Sequence, residues 1–163
     1  MKVLRCAGLL VAGCVFVARR RLILTTVDGP SMTPALRSGD RVLVRRTRRP
    51  RRGQVALLRF PPLPSGAPAG NQLLLKRVVA VAGDRLPPGW ADPDVHGLGG
   101  EVVPPGCTVV LGDNRPTSWD SRHYGFVPRE RVVGVVVRHV LRAGGNPALC
   151  VGRSPHTRTR GHH

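Results

Sequence analysis

Lys76 lies in the apolar run LLLKRVVAVAGD (73–84), and it is one of only two lysines among the 26 basic residues of a 163-residue chain. The other is Lys2, and every remaining basic side chain is arginine. A bias that strong converts an indifferent lysine to arginine, so a lysine kept inside a strand-like apolar stretch needs a chemical reason. Arginine stays protonated in a protein, whereas a desolvated lysine can lose its proton near neutral pH. A neutral amine is a general base, and a base needs a nucleophile to serve. The hydroxyl best placed for that part is Ser31, in VDGPSMTPALRSGD (27–40). Gly29 and Pro30 bring the chain round tightly before it, Pro34 stiffens it beyond, and Met32 can pack inward as an apolar peg that turns the serine outward. No Asp–His pair offers a competing base, since His123 and His139 lie in no triad-like setting. A Ser–Lys dyad requires one base only, provided burial lowers the lysine pKa, and the neighbouring leucines and valines suit that task. Taken singly, Ser31 reads as a turn residue and Lys76 as an edge-strand lysine reaching water. The catalytic reading rests on the pair.

Short strands must position these side chains. From Leu22 onward the β-type runs are LILTTV, RVLVRR (41–46), QVALLRF (54–60), LLLKRVVAVA (73–82), CTVVLGD (107–113) and RVVGVVVRHVL (131–141). Turn-forming stretches such as SGD, PRRG, PPLPSGAPAG and PPGWADPDVHGLGG separate them, consistent with 20 glycines and 16 prolines. Sustained helical periodicity is absent from this part, so the expected fold is mostly β, an antiparallel sheet. Before it, CAGLLVAGCVFVA (6–18) is apolar and flanked by Lys2 and Arg5 on one side and Arg19, Arg20 and Arg21 on the other. As a helix it would reach roughly 20 Å, short of the ~30 Å hydrocarbon core, though snorkelling arginines could stretch it into a marginal span. It is expected to be an N-terminal membrane anchor helix; a signal-peptide region, an interfacial helix and a buried helix are its other readings. VAGC, ending at Cys14, also resembles a lipoprotein processing box. Both flanks are basic, which leaves orientation open. After Gly144 the chain lacks core-forming residues. The expected division is an anchor or signal-anchor at 1–24, a catalytic domain at 25–142 and a disordered basic tail at 143–163.

The formal net charge of +17 favours partners with negative surfaces, namely anionic membrane lipids or nucleic acid. RRTRRPRRG (45–53) supports the second option, but one tyrosine, two tryptophans and three phenylalanines are few for base stacking, and no helix-turn-helix or zinc-finger pattern occurs. Anionic lipids are therefore the expected partner, and nucleic acid is not. The four cysteines show no CxxC or Cys/His spacing, so neither a metal nor another cofactor is expected.

GPSMTPALRSGD, LLLKRVVAVAGD and LGDNRPTSWDSRHYGFVP (111–128) resemble, in order and spacing, the boxes of the type I signal peptidase family. The shorter members, mitochondrial inner-membrane and Gram-positive, are most similar, and the resemblance covers roughly residues 27–140. It implies a signal-peptidase-like β core, which this family shares with SOS-type repressors. It implies Ser31 as nucleophile, Lys76 as general base, Ser118 as the serine that hydrogen-bonds the lysine, and Asp120 and Arg122 as a supporting polar pair. Gly112, Asp113 and Asn114 match the turn leading into the site. Gly29 stands where some relatives carry an oxyanion serine, so the oxyanion hole would rest on backbone N–H groups, including that of Ser31. The implied activity is removal of signal or leader peptides from secreted or membrane precursors, bound as extended peptides with small residues at the first and third positions before the cut. A single-pass membrane protein with an extracytoplasmic catalytic domain is implied as well. The short segment between the second and third boxes leaves no room for the large second subdomain of some bacterial members. That feature and the short anchor favour a specialised maturation peptidase over a housekeeping one. A catalytically silent, membrane-bound binding protein on the same scaffold is the remaining alternative.

Overall fold

The computed structural model describes residues 21–60, 72–90 and 97–143. Residues 1–20 of the anchor expected at 1–24, and residues 144–163 of the tail expected at 143–163, lie outside the described residues. Seven strands form the fold: β1 (Leu22–Thr26), β2 (Arg41–Arg46), β3 (Val55–Phe60), β4 (Gln72–Val81), β5 (Cys107–Leu111), β6 (Val127–Pro128) and β7 (Val132–Leu141). They make one sheet in the order β1-β2-β7-β3-β4-β5-β6, and every pairing is antiparallel. A single turn of helix, α1 (Ser121–Tyr124), lies between β5 and β6. The fold is mostly β, as the alternation of apolar residues requires. Strand β1 begins at Leu22. No helix among the described residues is long and apolar enough to cross a membrane.

Alternation decides which side chains enter the core. In β2, Val42 and Val44 are fully buried while Arg41, Arg45 and Arg46 are exposed. Strand β4 lies between β3 and β5 and is buried on both faces. On one face Leu75 joins Val27, Met32, Leu36, Val42, Val44 and Leu57. On the other, Val78 joins Ala56, Leu58, Phe60, Val110, Val127 and Val132. Burying each such aliphatic side chain stabilises the fold by about 1.5–3 kcal/mol. Lys76 is opposite Ala56 and two residues from Val78, so the period of the strand places it on this second apolar face. It is a buried lysine where a leucine or valine would be expected, not one reaching water.

A third, smaller cluster is formed by Leu86, Leu98 and Val103 against Ala80 and Val109. An isolated bridge between Arg85 and Val102 closes this short excursion between β4 and β5.

Candidate active site

The chain between β1 and β2 folds into a tight loop because its ends are tied together. Val27 N–H donates to the Asp40 carbonyl at 2.8 Å, and Gly39 N–H donates to the Val27 carbonyl at 2.9 Å. The Asp40 carboxylate accepts from Arg37 N–H at 2.9 Å and from Ala143 N–H at 2.7 Å, and His139 Nε2 lies 3.0 Å from it. Inside the loop Met32 is 1% exposed and belongs to the first core cluster, which leaves its neighbour Ser31 half-buried at the rim. Gly29 adopts φ +78°, a conformation that L side chains rarely take, so a serine there would be strained.

Lys76 is 3% exposed, and its Nζ donates to Ser118 Oγ at 3.0 Å. Ser118, itself 5% exposed, hydrogen-bonds in turn to the Asp120 carboxylate. A polar relay thus runs from the amine to the carboxylate through one hydroxyl. Desolvation lowers the Lys76 pKa to about 8; Asp120 opposes this shift and Arg122 adds to it. Asp120 is fully buried and caps α1, accepting from Arg122 N–H at 3.3 Å and from Gly112 N–H at 3.0 Å. Arg122 Nε donates to the same carboxylate at 2.9 Å and Nη2 at 3.1 Å. The guanidinium also reaches the carbonyls of Arg115 at 2.7 Å and Ser118 at 3.2 Å, fixing the loop that carries Ser118.

Gly112 joins the two halves. Any Cβ at that position would collide with the Ser118 hydroxyl and with the Ser31 carbonyl. Two residues on, Asn114 N–H donates to the Ser31 carbonyl at 3.0 Å, and its side-chain amide donates to the Pro30 carbonyl at 3.3 Å. The structure therefore gathers Ser31, Lys76, Ser118, Asp120 and Arg122 around one glycine turn. A small cleft of about 50 Å³ opens beside Ser31, lined by Thr25, Thr26, Leu57, Leu73 and Leu75 among others.

Arg77 was not singled out by the sequence. Its guanidinium makes a two-pronged ion pair with Asp113, at 2.7 and 2.6 Å, and Nη1 donates to the Gly53 carbonyl at 2.8 Å. It thereby fastens the Gly112–Asn114 turn to β4 from the face opposite Lys76. The partners are 36 residues apart, and only their sharing of the lysine and glycine boxes hinted at the contact. No group of three or more His, Cys, Asp or Glu side chains that could hold a metal occurs among the described residues.

A family model described as signal peptidase, peptidase S26, matches residues 2–87 and 91–141. The chain is 37% identical over 131 residues to mitochondrial ATP-independent inner membrane protease subunit 1a of Arabidopsis thaliana, covering 76% of this chain and 74% of that one. It is 31% identical over 144 residues to signal peptidase I of Leptolyngbya laminosa, covering 75% and 68%. It is 33% identical over 139 residues to probable signal peptidase I-2 of Synechocystis sp., covering 73% of this chain and 61% of that protein. The chain thus spans less than two thirds of the Synechocystis relative's length.

Proposed function

The chain belongs to the signal peptidase family, peptidase S26, and from that premise we propose that it is a membrane-associated serine endopeptidase that removes signal or leader peptides from secreted or membrane precursors. Ser31 is the nucleophile and Lys76 the general base. The observation that carries this reading is the buried Lys76 amine, its pKa lowered to about 8 and its Nζ held on Ser118 Oγ, next to the turn that binds the Ser31 carbonyl. With such a pKa roughly a tenth of the amine is neutral at pH 7, and about half at pH 8. That is sufficient for a base that must both accept and return a proton.

The reaction proceeds in two halves. Neutral Lys76 takes the Ser31 proton as Oγ attacks the scissile carbonyl, and backbone N–H groups including that of Ser31 hold the developing oxyanion. The lysine ammonium passes its proton to the leaving amine as the C–N bond breaks, leaving Ser31 acylated. Water, losing a proton to the again neutral Lys76, then attacks the ester, and the proton returns to Ser31 as the acid product leaves. Ser118 aims the amine throughout, while Asp120 and Arg122 hold Ser118 in place.

The substrate is an extended segment of a precursor protein. Residues 72–76 of β4 pair with β3 on one side, while pairing with β5 begins only at Arg77, so the other edge is open among the described residues. That open edge, with Thr25 and Thr26 of β1 across the cleft, suits strand addition. The cleft of about 50 Å³ at Ser31 suits a small side chain before the cut. The catalytic domain is assigned to the extracytoplasmic side of a membrane that the chain crosses once.

The test is cleavage of a precursor peptide with small residues before the cut, in detergent, by wild type, Ser31→Ala and Lys76→Arg. Wild type should cleave, with a rate rising with pH through a midpoint near 8. Each variant should lose roughly four orders of magnitude. Cleavage by Lys76→Arg at a hundredth of wild type or more would remove Lys76 as the base. Inactivity of all three proteins would favour the silent binding scaffold.

A further inference from the structure

The catalytic reading leaves most of the arginines without a role, and at one end of the sheet they converge. The start of β1 pairs with the end of β2, Leu22 opposite Arg45, and the start of β7 adjoins them, Arg46 being opposite Gly134. There Arg21, Arg46, Arg48 and Arg59 line a cleft of about 430 Å³ beside Val132 and Val133. All four arginines are exposed. The one carboxylate at the cleft, Glu130, lies 3.1 Å from Arg129 Nε. No ion pair joins Arg21, Arg46, Arg48 or Arg59 to a carboxylate among the described residues. Around the corner a second cleft, of about 290 Å³, shares Arg48 and adds Arg49 and Arg129 above Val81 and Ala82. Glu130 offsets part of the charge, Arg48 included, but four guanidinium groups around one carboxylate still repel one another, and a bound anion reduces that cost.

We propose that this end of the sheet binds the phosphate groups of anionic phospholipids and seats the domain on a bilayer. Guanidinium forks match phosphate oxygens two at a time, which suits arginine better than lysine here. The chain enters this end at Arg21, directly after the apolar run at 6–18, so the basic surface begins where that run ends. Leu24, 46% exposed on the outer side of β1, adds apolar surface nearby. A bilayer is favoured over nucleic acid because no aromatic side chain among the described residues lines either cleft, and the ring next to Arg59, that of Phe60, is 5% exposed, packed on Tyr124 at 4.6 Å and covered by Arg131 at 4.9 Å. Ser31 follows the opposite end of β1, about 17 Å along the strand. Seating β1 by its entry would thus set the height of the nucleophile above the membrane.

The experiment is vesicle flotation of the full chain, with phosphatidylcholine alone and with about a third phosphatidylglycerol. It compares wild type, an Arg46→Gln/Arg48→Gln/Arg59→Gln triple, and an Arg37→Gln/Arg85→Gln/Arg142→Gln control of equal charge change. Anionic lipid should raise wild-type partitioning at least roughly a hundredfold, and the cleft triple should lose roughly fivefold per arginine while the control stays within about twofold. Equal losses in the two triples would mean diffuse charge and overturn the site. Release by inorganic phosphate, but not by chloride at the same ionic strength, would mean a soluble-anion pocket and overturn the lipid assignment. Tighter, cleft-dependent binding to duplex DNA than to vesicles would do so as well. Peptide cleavage in detergent should be the same for the cleft triple and wild type, so failure of the lipid site and failure of the peptidase reading are separate results.

Discussion

The loop that carries Ser31 and the loop that carries Ser118 are each tied by a buried carboxylate, and the two ties differ in the basic side chain that completes them. Asp120 accepts from Gly112 N–H at 3.0 Å and is completed by Arg122, whose side chain is 5% exposed. Asp40 accepts from Arg37 and Ala143 N–H groups and is completed by His139, whose side chain is 25% exposed. Burial pushes the Asp120 carboxyl up, but hydrogen bonds from Arg122, Gly112 and Ser118 outweigh it and leave the pKa lowered. At Asp40 the Arg37 N–H leads the lowering, against burial and with help from Ala143 and His139. An arginine is a permanent cation in a protein. Lys76 feels both Asp120 and Arg122, so a permanent cation there keeps the base's surroundings constant while the base itself titrates. No such demand falls on the tie behind the nucleophile, which is the more exposed and the more replaceable of the two.

The largest effect that separates them is Arg122→Ala. It leaves the Asp120 carboxylate buried without its cation and should cost about 3–5 kcal/mol in chemical denaturation at neutral pH. Both carboxyls have lowered pKa values, so their stabilisation is present above the ordinary value of 3.8 and is lost as pH falls through the folded values below it. Removing Arg122 raises the folded pKa of Asp120, so acid unfolding should begin at higher pH than in wild type. A loss under about 1 kcal/mol would show that the relay behind Lys76 is not held by charge.

Next in size is Lys76→Met, which removes the amine and keeps an apolar side chain of similar length. Lowering the Lys76 pKa from 10.5 to about 8 marks an amine that the fold destabilises. At one unit per 1.36 kcal/mol the penalty is about 3 kcal/mol, an upper bound that loss of the Lys76–Ser118 hydrogen bond reduces. Between pH 8 and 10.5 the unfolded chain binds more protons than the folded one, so wild-type stability should rise with pH across that window. The methionine variant should be inactive, more stable at pH 7, and without that rise. Equal midpoints and equal pH slopes in the two proteins would mean that Lys76 is not desolvated.

Much of the fold is legible in the sequence because β2, β4 and β7 are long enough for alternation or apolar runs to register. The two residues of β6 and the four of α1 are too short to show a period. Lys76 and Ser31 stand out as a pair, the lysine against an arginine background and the serine in a Gly-Pro turn. What sequence could not supply is the contact set at long range. Asp40 and Ala143 meet across 103 residues and Arg77 and Asp113 across 36, with nothing local to mark them as partners. Gly112 reads as a turn glycine until Ser118 and the Ser31 carbonyl close on both sides of it.

The smallest effect, and the sharpest on the comparison, is His139→Ala. Asp40 would keep both backbone donors, and with a quarter of the His139 side chain exposed, water can take the place of the imidazole. The cost should therefore stay within about 1 kcal/mol at neutral pH. His139 helps to hold the Asp40 carboxyl low, so the gap between wild type and variant should stay constant above the ordinary value of 3.8 and close as pH falls through the folded value below it. Peptide cleavage should change little, because Val27 N–H and Gly39 N–H close the nucleophile loop through backbone groups that do not involve His139. Denaturation midpoints of His139→Ala and Arg122→Ala, measured side by side from neutral to mildly acidic pH, decide the matter. A loss at His139 as large as that at Arg122 would mean that the two carboxylates are held in the same way after all.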